Sequence, residues 1–350
     1  MQRRPMAFVA SIGLALLFAA PVAAGGGGTY TVNRLDAHGV PATWDDPNLV
    51  NAWGLSAGPT TPWWVSDNGT NRSTLYDGDG NAIPLVVKVT GGPSGTVYNG
   101  SGDFMVSHNG KSGPALFLFA SEDGKIRGWN PAVPASSTKA FVIASRTSAG
   151  AVYKGLAIAS ASGHNYLYAT DFMNARVDVF NGANQLQHWA GAFHDASLPS
   201  GYAPFGIQTA GNRIYVTYAK QNGKDEADGP HLGFVDAYKT DGTFVARVAS
   251  RGSLNAPWGL AWAPSNFGKF SGDLLVGNFG DGKIHAYKQT SSGWMADGVL
   301  SNAQHKPIRI DGLWAIAFGN GAAAGPTNTL YFTAGPNGES DGLFGSITHN

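Results

Sequence analysis

No cysteine occurs among the 350 residues. That one absence excludes a disulfide framework, a thiolate zinc site, an iron–sulfur cluster and a cysteine nucleophile. Charge is also scarce: Asp, Glu, Lys and Arg make up 13% of the chain, about half the usual share of a soluble domain. The 23 cations match the 23 anions, which leaves no basic excess of the kind that neutralises nucleic-acid phosphates. Apolar runs of membrane-spanning length are missing too. The longest, from Met6 to Ala20, falls short of the roughly 20 residues a helix needs to cross a bilayer. No stretch sustains the 3.6-residue apolar period of a long helix. H-E-x-x-H, phosphate-loop and G-x-G-x-x-G patterns do not occur.

What is present begins with an address. Arg3 and Arg4 precede the apolar run, and Val22–Ala24 supply small residues where a signal peptidase cuts. Residues 1–24 therefore read as a cleaved secretory signal. Its removal takes the balance to 21 cations against 23 anions. Residues 25–350 are expected to be one secreted, monomeric domain, extracellular or periplasmic, with no membrane span and no nucleic-acid partner.

That domain is built on a repeat. NAWGLSA (51–57) returns as YKGLAIA (153–159), APFGIQT (203–209), APWGLAW (256–262) and GLWAIAF (312–318), with YNGSGDFMVS (98–107) as the most degenerate copy. The small residue at the centre of each copy is Gly54, Gly100, Gly155, Gly206, Gly259 or Ala315, at a period of roughly 50 residues. Each copy is followed by a β-rich run such as PWWVSD (62–67) or RIYVTYA (213–219), then by an alternating run ending in turn residues. Four short strands per unit, six times over, specify an all-β, six-bladed β-propeller with four-stranded blades over about 49–350. The last unit ends after its third strand, and TYTVNRLDA (29–37) is an orphan strand at the other end. Pairing these two ends would close the ring and protect its edges.

The segments NLVNAWGLS, VSDNGTNRSTLYDG, FASEDGKIRGWNP, NAPWGLAWAPSNFGKFSGDLLVGNFGDGKI and DGLWAIAFGNG resemble a family of secreted bacterial and fungal propellers. That family is distantly similar to NHL-repeat and gluconolactonase-like six-bladed propellers. The resemblance implies a propeller and export. It carries no established reaction, so no catalytic residue transfers from it.

Propeller connectivity puts the start of each innermost strand and the end of each second strand around one channel mouth. The residues before the small positions, Trp53, Asn99, Lys154, Phe205, Trp258 and Trp314, are expected there. They form either a collar for a carbohydrate or other small extracellular ligand, or a plug of rings packed between blades. The second-strand ends bring Asp67, Asn68, Glu122, Asp171 and Asn278. Asp67, Glu122, Asp171 and Asn278 have the oxygen chemistry of a Ca²⁺-like site. Gluconolactonase-like propellers place a metal at such a mouth, although their inner strands start with acids or amides where this chain has aromatics. The same residues also serve as turn formers. The loop AKQNGKDEADGPHLG (219–233) concentrates Asp225, Glu226 and Asp228 and reads as a lid, a partner-docking element or a solvated insertion. His194 and Asp195 form a candidate general-base pair.

Three functions follow as expectations: ligand binding at the mouth, a metal-dependent hydrolase or lactonase, and an extracellular interaction scaffold. GLSAG (54–58) and DGDGN (77–81) are discounted as nucleophile and calcium motifs. Ser56 lies within an inner strand, and Lys88 stands where a calcium loop needs its closing Glu.

Overall fold

The structure, a computed structural model, describes residues 28–350; the signal-like segment 1–24 lies outside the described residues. Six small antiparallel sheets form the six blades of a propeller. Blade 1 comprises Ala52–Ser56, Trp63–Asp67, Arg72–Tyr76 and Val87–Lys88. Blade 2 comprises Pro93–Tyr98, Phe117–Ser121, Lys125–Trp129 and Phe141–Ser145. Blades 3, 4 and 5 begin with inner strands Tyr153–Ala161, Tyr202–Ala210 and Pro257–Trp262 and repeat the same meander. Blade 6 takes Leu313–Phe318, Leu330–Ala334 and Gly342–His349 from the C-terminus. Its outer strand is Tyr30–His38, antiparallel to the last from Tyr30↔His349 to His38↔Gly342. The two ends of the chain thus close the ring as the orphan strand implied.

All six inner strands carry a register irregularity at their starts, between Ala52 and Leu55, Pro93 and Thr96, Tyr153 and Leu156, Pro204 and Ile207, Pro257 and Gly259, and Leu313 and Ile316. The small residue of the repeat lies in or beside each one. A bulge re-aims side chains, and in five of the blades it turns the preceding large residue toward the ring axis. Glycine is favoured because neighbouring inner strands approach most closely there. A Cβ on Gly206 would meet Trp258 O at 2.0 Å, and one on Gly54 would meet Ser94 O at 2.3 Å. Threonine hydroxyls from the second strands tie the approach together. Thr170 donates to Phe205 O of the next blade at 2.7 Å, and Thr333 donates to Trp53 O at 2.6 Å. Hydrophobic clusters fill the wedges between successive blades, so each sheet buries both faces.

Blade 2 corrects the repeat. Its inner strand is Pro93–Tyr98, not 98–107, and its small residue is Gly95, whose Cβ would meet Leu156 N at 2.3 Å. Ser94, not Asn99, holds the position before it. An inserted hairpin, Met105–His108 with Lys111–Pro114, separates the first and second strands of this blade and distorts the spacing.

Candidate functional site

Where the inner strands start, the large side chains form a plug, one of the two arrangements expected of them. Trp53 and Trp314 stack at 3.8 Å between ring centroids, and Phe279 covers the other side of Trp314 at 4.2 Å. Trp258 meets both tryptophans edge-on at 6.4 and 5.8 Å, and Phe205 meets Trp314 at 5.9 Å. Trp314 and Phe205 are fully buried, and Trp258 is 8% exposed. Stacked and perpendicular pairs suit the ring quadrupoles. The bulges bring Trp53, Phe205, Trp258 and Trp314 together as packed rings rather than as an open rim. Asn99 is not among them. It lies past the far end of its inner strand, where its side chain donates to Asp103 O and Ala115 O at 3.0 and 2.8 Å and closes a loop.

Lys154 completes the plug and begins the polar layer above it. It is 1% exposed, with its ammonium 4.8 Å from the Trp53 ring centroid. It donates to Glu122 Oε1 at 2.7 Å and to Asp225 Oδ1 at 3.2 Å. Burial opposes its charge, but the carboxylates of Glu122, Glu226 and Asp225 outweigh burial and hold its pKa above the ordinary lysine value. From Glu122 the network continues to Asn68, which donates to Oε2 at 3.0 Å. Asn51 donates to Glu339 Oε2 at 2.7 Å and accepts from the Trp314 indole at 2.9 Å. Asn51 and Glu339 both adopt left-handed backbone, at φ 48° and 68°; that conformation is uncommon for glutamate and marks a side chain held in place at a backbone cost.

The 219–233 loop supplies the remaining acids. Strand Arg213–Asn222 runs past the edge of blade 4 and turns back as Asp225–Ala227, with Gln221 opposite Glu226. This hairpin leans over the mouth, which is how Asp225 reaches Lys154 from the next blade. Burial pushes the Glu226 carboxyl up to about 7, although Lys154 draws it down. Burial also raises Glu339, against the pull of Asn51 and Lys154. The mouth therefore holds one fixed ammonium, several carboxyl groups and two amides, with one carboxyl poised near neutrality.

The four expected metal ligands do not share a site. Asp67 is fully buried and accepts from Thr74 at 3.2 Å. Asp171 accepts from Val152 N at 3.2 Å and Asn174 Nδ2 at 2.7 Å. Asn278 accepts from Asn255 N at 3.2 Å and donates to Ser253 O at 2.8 Å. Asp171 and Asn278 each brace the entry to their own blade, which is turn chemistry. Glu122 alone faces the mouth, and its cation is Lys154. Among the described residues no three His, Cys, Asp or Glu side chains come together as a metal cage. Asp195 belongs to another network, pairing with Arg247, which also pairs with Asp236; His194 remains exposed beside it.

At the opposite end the channel opens. A small chamber beneath Trp258 and the inner-strand glycines widens into a funnel of about 410 Å³ bordered by Ser56, Trp63, Tyr98, Gln208, Trp262 and Asn320. No carboxylate or ammonium lines this funnel.

These features define a six-bladed propeller with one plugged, charged mouth and one open, uncharged mouth. Uncharacterized protein L690 of Acanthamoeba polyphaga mimivirus is 33% identical over 91% of this chain and 86% of its own length. Uncharacterized protein R648 of the same virus is 31% identical over 91% of this chain and 80% of its own. The chain belongs to the same protein family as these two. No protein-family model matches it. Among solved structures, the apo soluble aldose sugar dehydrogenase of Escherichia coli superposes with a TM-score of 0.52 at 13% identity, over 92% of this chain and all of that one. A streptogramin B lyase gives 0.52 at 12% over 92% and 98%. A Bacteroides thetaiotaomicron protein of unknown function gives 0.56 at 10% over 91% and 76%. At such identities the likeness concerns the fold alone. It agrees with the propeller resemblance read from the sequence; the two sequence relatives named above are viral.

Proposed function

We propose that this propeller binds a small polyhydroxylated ligand of the carbohydrate class at the charged mouth. The observation that carries the reading is Lys154: a lysine buried at the ring axis, seated on Trp53 and held by carboxylates from blades 2 and 4. Carboxylates, amides and an ammonium converging within hydrogen-bond reach match the alternating donors and acceptors of adjacent hydroxyls. Glu226, near half-protonated at neutral pH, can donate or accept. Beneath them the indole N–H groups of Trp53 and Trp258 are buried without an acceptor, and a ligand oxygen would satisfy such donors. Sugar dehydrogenases and a lyase on the same fold support the reading by analogy of fold. Export, read from residues 1–24, belongs to the same proposal. The first blade strand begins at Tyr30, so a cut after Ala24 leaves the ring whole, and the mass of the chain in a culture medium tests it.

A second reading is favoured by Glu226 itself. A carboxyl near 7 beside a fixed cation suits general acid–base catalysis. Glu226 would take a proton from the water that attacks the lactone carbonyl and return it to the departing ring oxygen, while Lys154 stabilises the negative charge that develops on the carbonyl oxygen. Isothermal titration of a panel of aldoses and aldonolactones into the wild type and Glu226→Gln tests both readings. Saturable heat lost in the variant is the expected result. Absence of heat from every panel member, or heats equal in the two proteins, overturns the carbohydrate reading; turnover of a lactone only by the wild type establishes the second.

A further inference from the structure

A recess lies between blades 4 and 5, away from the charged mouth and beside the open one. It has a volume of about 620 Å³, within the roughly 300–1,000 Å³ of small-molecule sites. Three rings wall it. Tyr215 lies 5.9 Å from Trp262 and 6.1 Å from Trp294, and the two tryptophans are 6.0 Å apart at 80°. Trp262 is 38% exposed and Val245 40%, so packing alone leaves much of this apolar surface in water. The other five blades place Ala57, Tyr98, Ile158, Thr209 and Phe318 at the position Trp262 holds, so the indole is particular to this blade.

The polar groups of the groove have one sign. Arg213, Asn212 and Gln289 line it, with no carboxylate. The Arg213 guanidinium has only its neighbour Asn212 to donate to, at 3.3 Å to both the backbone and side-chain oxygens. None of the ion pairs among the described residues includes it. Lys239 stands opposite Arg213 in register and, by strand alternation, on the face of the lining residue Ala237. Flat rings beside an unpaired guanidinium and two amides fit a ligand with an apolar face, hydroxyls and a carboxylate.

We propose that this groove binds an acidic saccharide, a uronate unit of an oligo- or polysaccharide. The C–H face of the sugar ring stacks on Trp262 or Trp294, the carboxylate takes the Arg213 fork, and Asn212 and Gln289 serve the hydroxyls. Trp262 also borders the funnel, so the groove and the open mouth form one continuous surface along which a chain of sugars can run. This site is independent of the charged mouth and stands or falls separately from the reading given for it.

Native gels cast with polygalacturonate, with dextran or with no polymer provide the test. The wild type is expected to be retarded by polygalacturonate and not by dextran, and less so as salt rises. Trp262→Ala should abolish the retardation. Arg213→Gln should weaken it roughly tenfold or more, the scale of one charged hydrogen bond. Arg213 is a rim residue bonded only to its neighbour, so this variant keeps the site testable if Trp262→Ala unfolds, and a thermal melt of each variant checks folding. No retardation on polygalacturonate, or retardation unchanged in Arg213→Gln, overturns the proposal. Equal retardation by dextran overturns the acidic class.

Discussion

The two ends of the channel are made from the same six strands and have opposite characters. At their starts all six inner strands carry a bulge and a small residue, five of them with a large side chain turned inward, and the axis is filled by Trp53, Trp258, Trp314, Phe205 and Lys154. At their ends the strands are regular and the axis opens into the uncharged funnel. A strand irregularity a few residues long thus decides whether one end of the ring is solid or hollow. The solid end can hold a buried cation because the rings beneath it exclude water while carboxylates above it supply the counter-charge.

Breaking the plug should have the largest effect. Trp314→Ala removes a fully buried indole with stacked neighbours on both faces, which should cost about 3–5 kcal/mol. A thermal melt of residues 25–350 is expected to fall by roughly 5–10 °C; a fall no larger than that of a funnel-rim substitution would erase the contrast between the two ends.

Next comes the charge at the solid end. Glu226 titrates near 7 in the folded chain, above its ordinary value of 4.5. In that window the folded state binds more protons than the unfolded chain, so stability from this residue is present below about 4.5 and lost as pH rises through about 7. Chemical denaturation from pH 4.5 to 8 should show Glu226→Gln gaining on the wild type across that range, by up to roughly 3 kcal/mol. Parallel profiles would remove Glu226 from the titrating network.

At the open end, Ser56→Ala deletes the hydroxyl that accepts from Tyr98 N at 3.0 Å across the rim. The expected loss is about 1 kcal/mol, read from the denaturation midpoint. Smallest of all is the response to calcium. Asp67, Asp171 and Asn278 serve their own turns, and Lys154 occupies the cation position beside Glu122. Millimolar Ca²⁺ after chelation should therefore leave the melting midpoint within about 1 °C. A rise of several degrees, as saturating ligand gives, would place an ion in the mouth.

The sequence displayed the ring well because each inner strand repeats a physical requirement: a small residue where neighbouring strands touch, beside a large one that fills the axis. It misled at blade 2, where Ser94 carries no ring and the inserted hairpin moves the next recognisable run. That is how Asn99 came to stand where Ser94 does. The polar layer was half legible. Lys154 broke the aromatic pattern and Asp225 and Glu226 broke the charge-poor background, but only the fold shows that they meet. Asn51 and Glu339 come from turns in left-handed backbone, which no repeat position marks. The groove was hidden for a similar reason. Trp262 ends an inner strand and Trp294 lies on an outer one, and only the twist of blade 5 against blade 4 turns them into one wall.

The central claim is that the charged mouth, not the open one, is where a small ligand binds. The most direct test is to titrate calorimetrically an aldose that gives heat with the wild type into Glu226→Gln and Ser56→Ala. The account predicts that binding collapses in the first, at the charged mouth, and persists in the second, at the funnel. Binding retained in Glu226→Gln and lost in Ser56→Ala would contradict it and move the site to the open end.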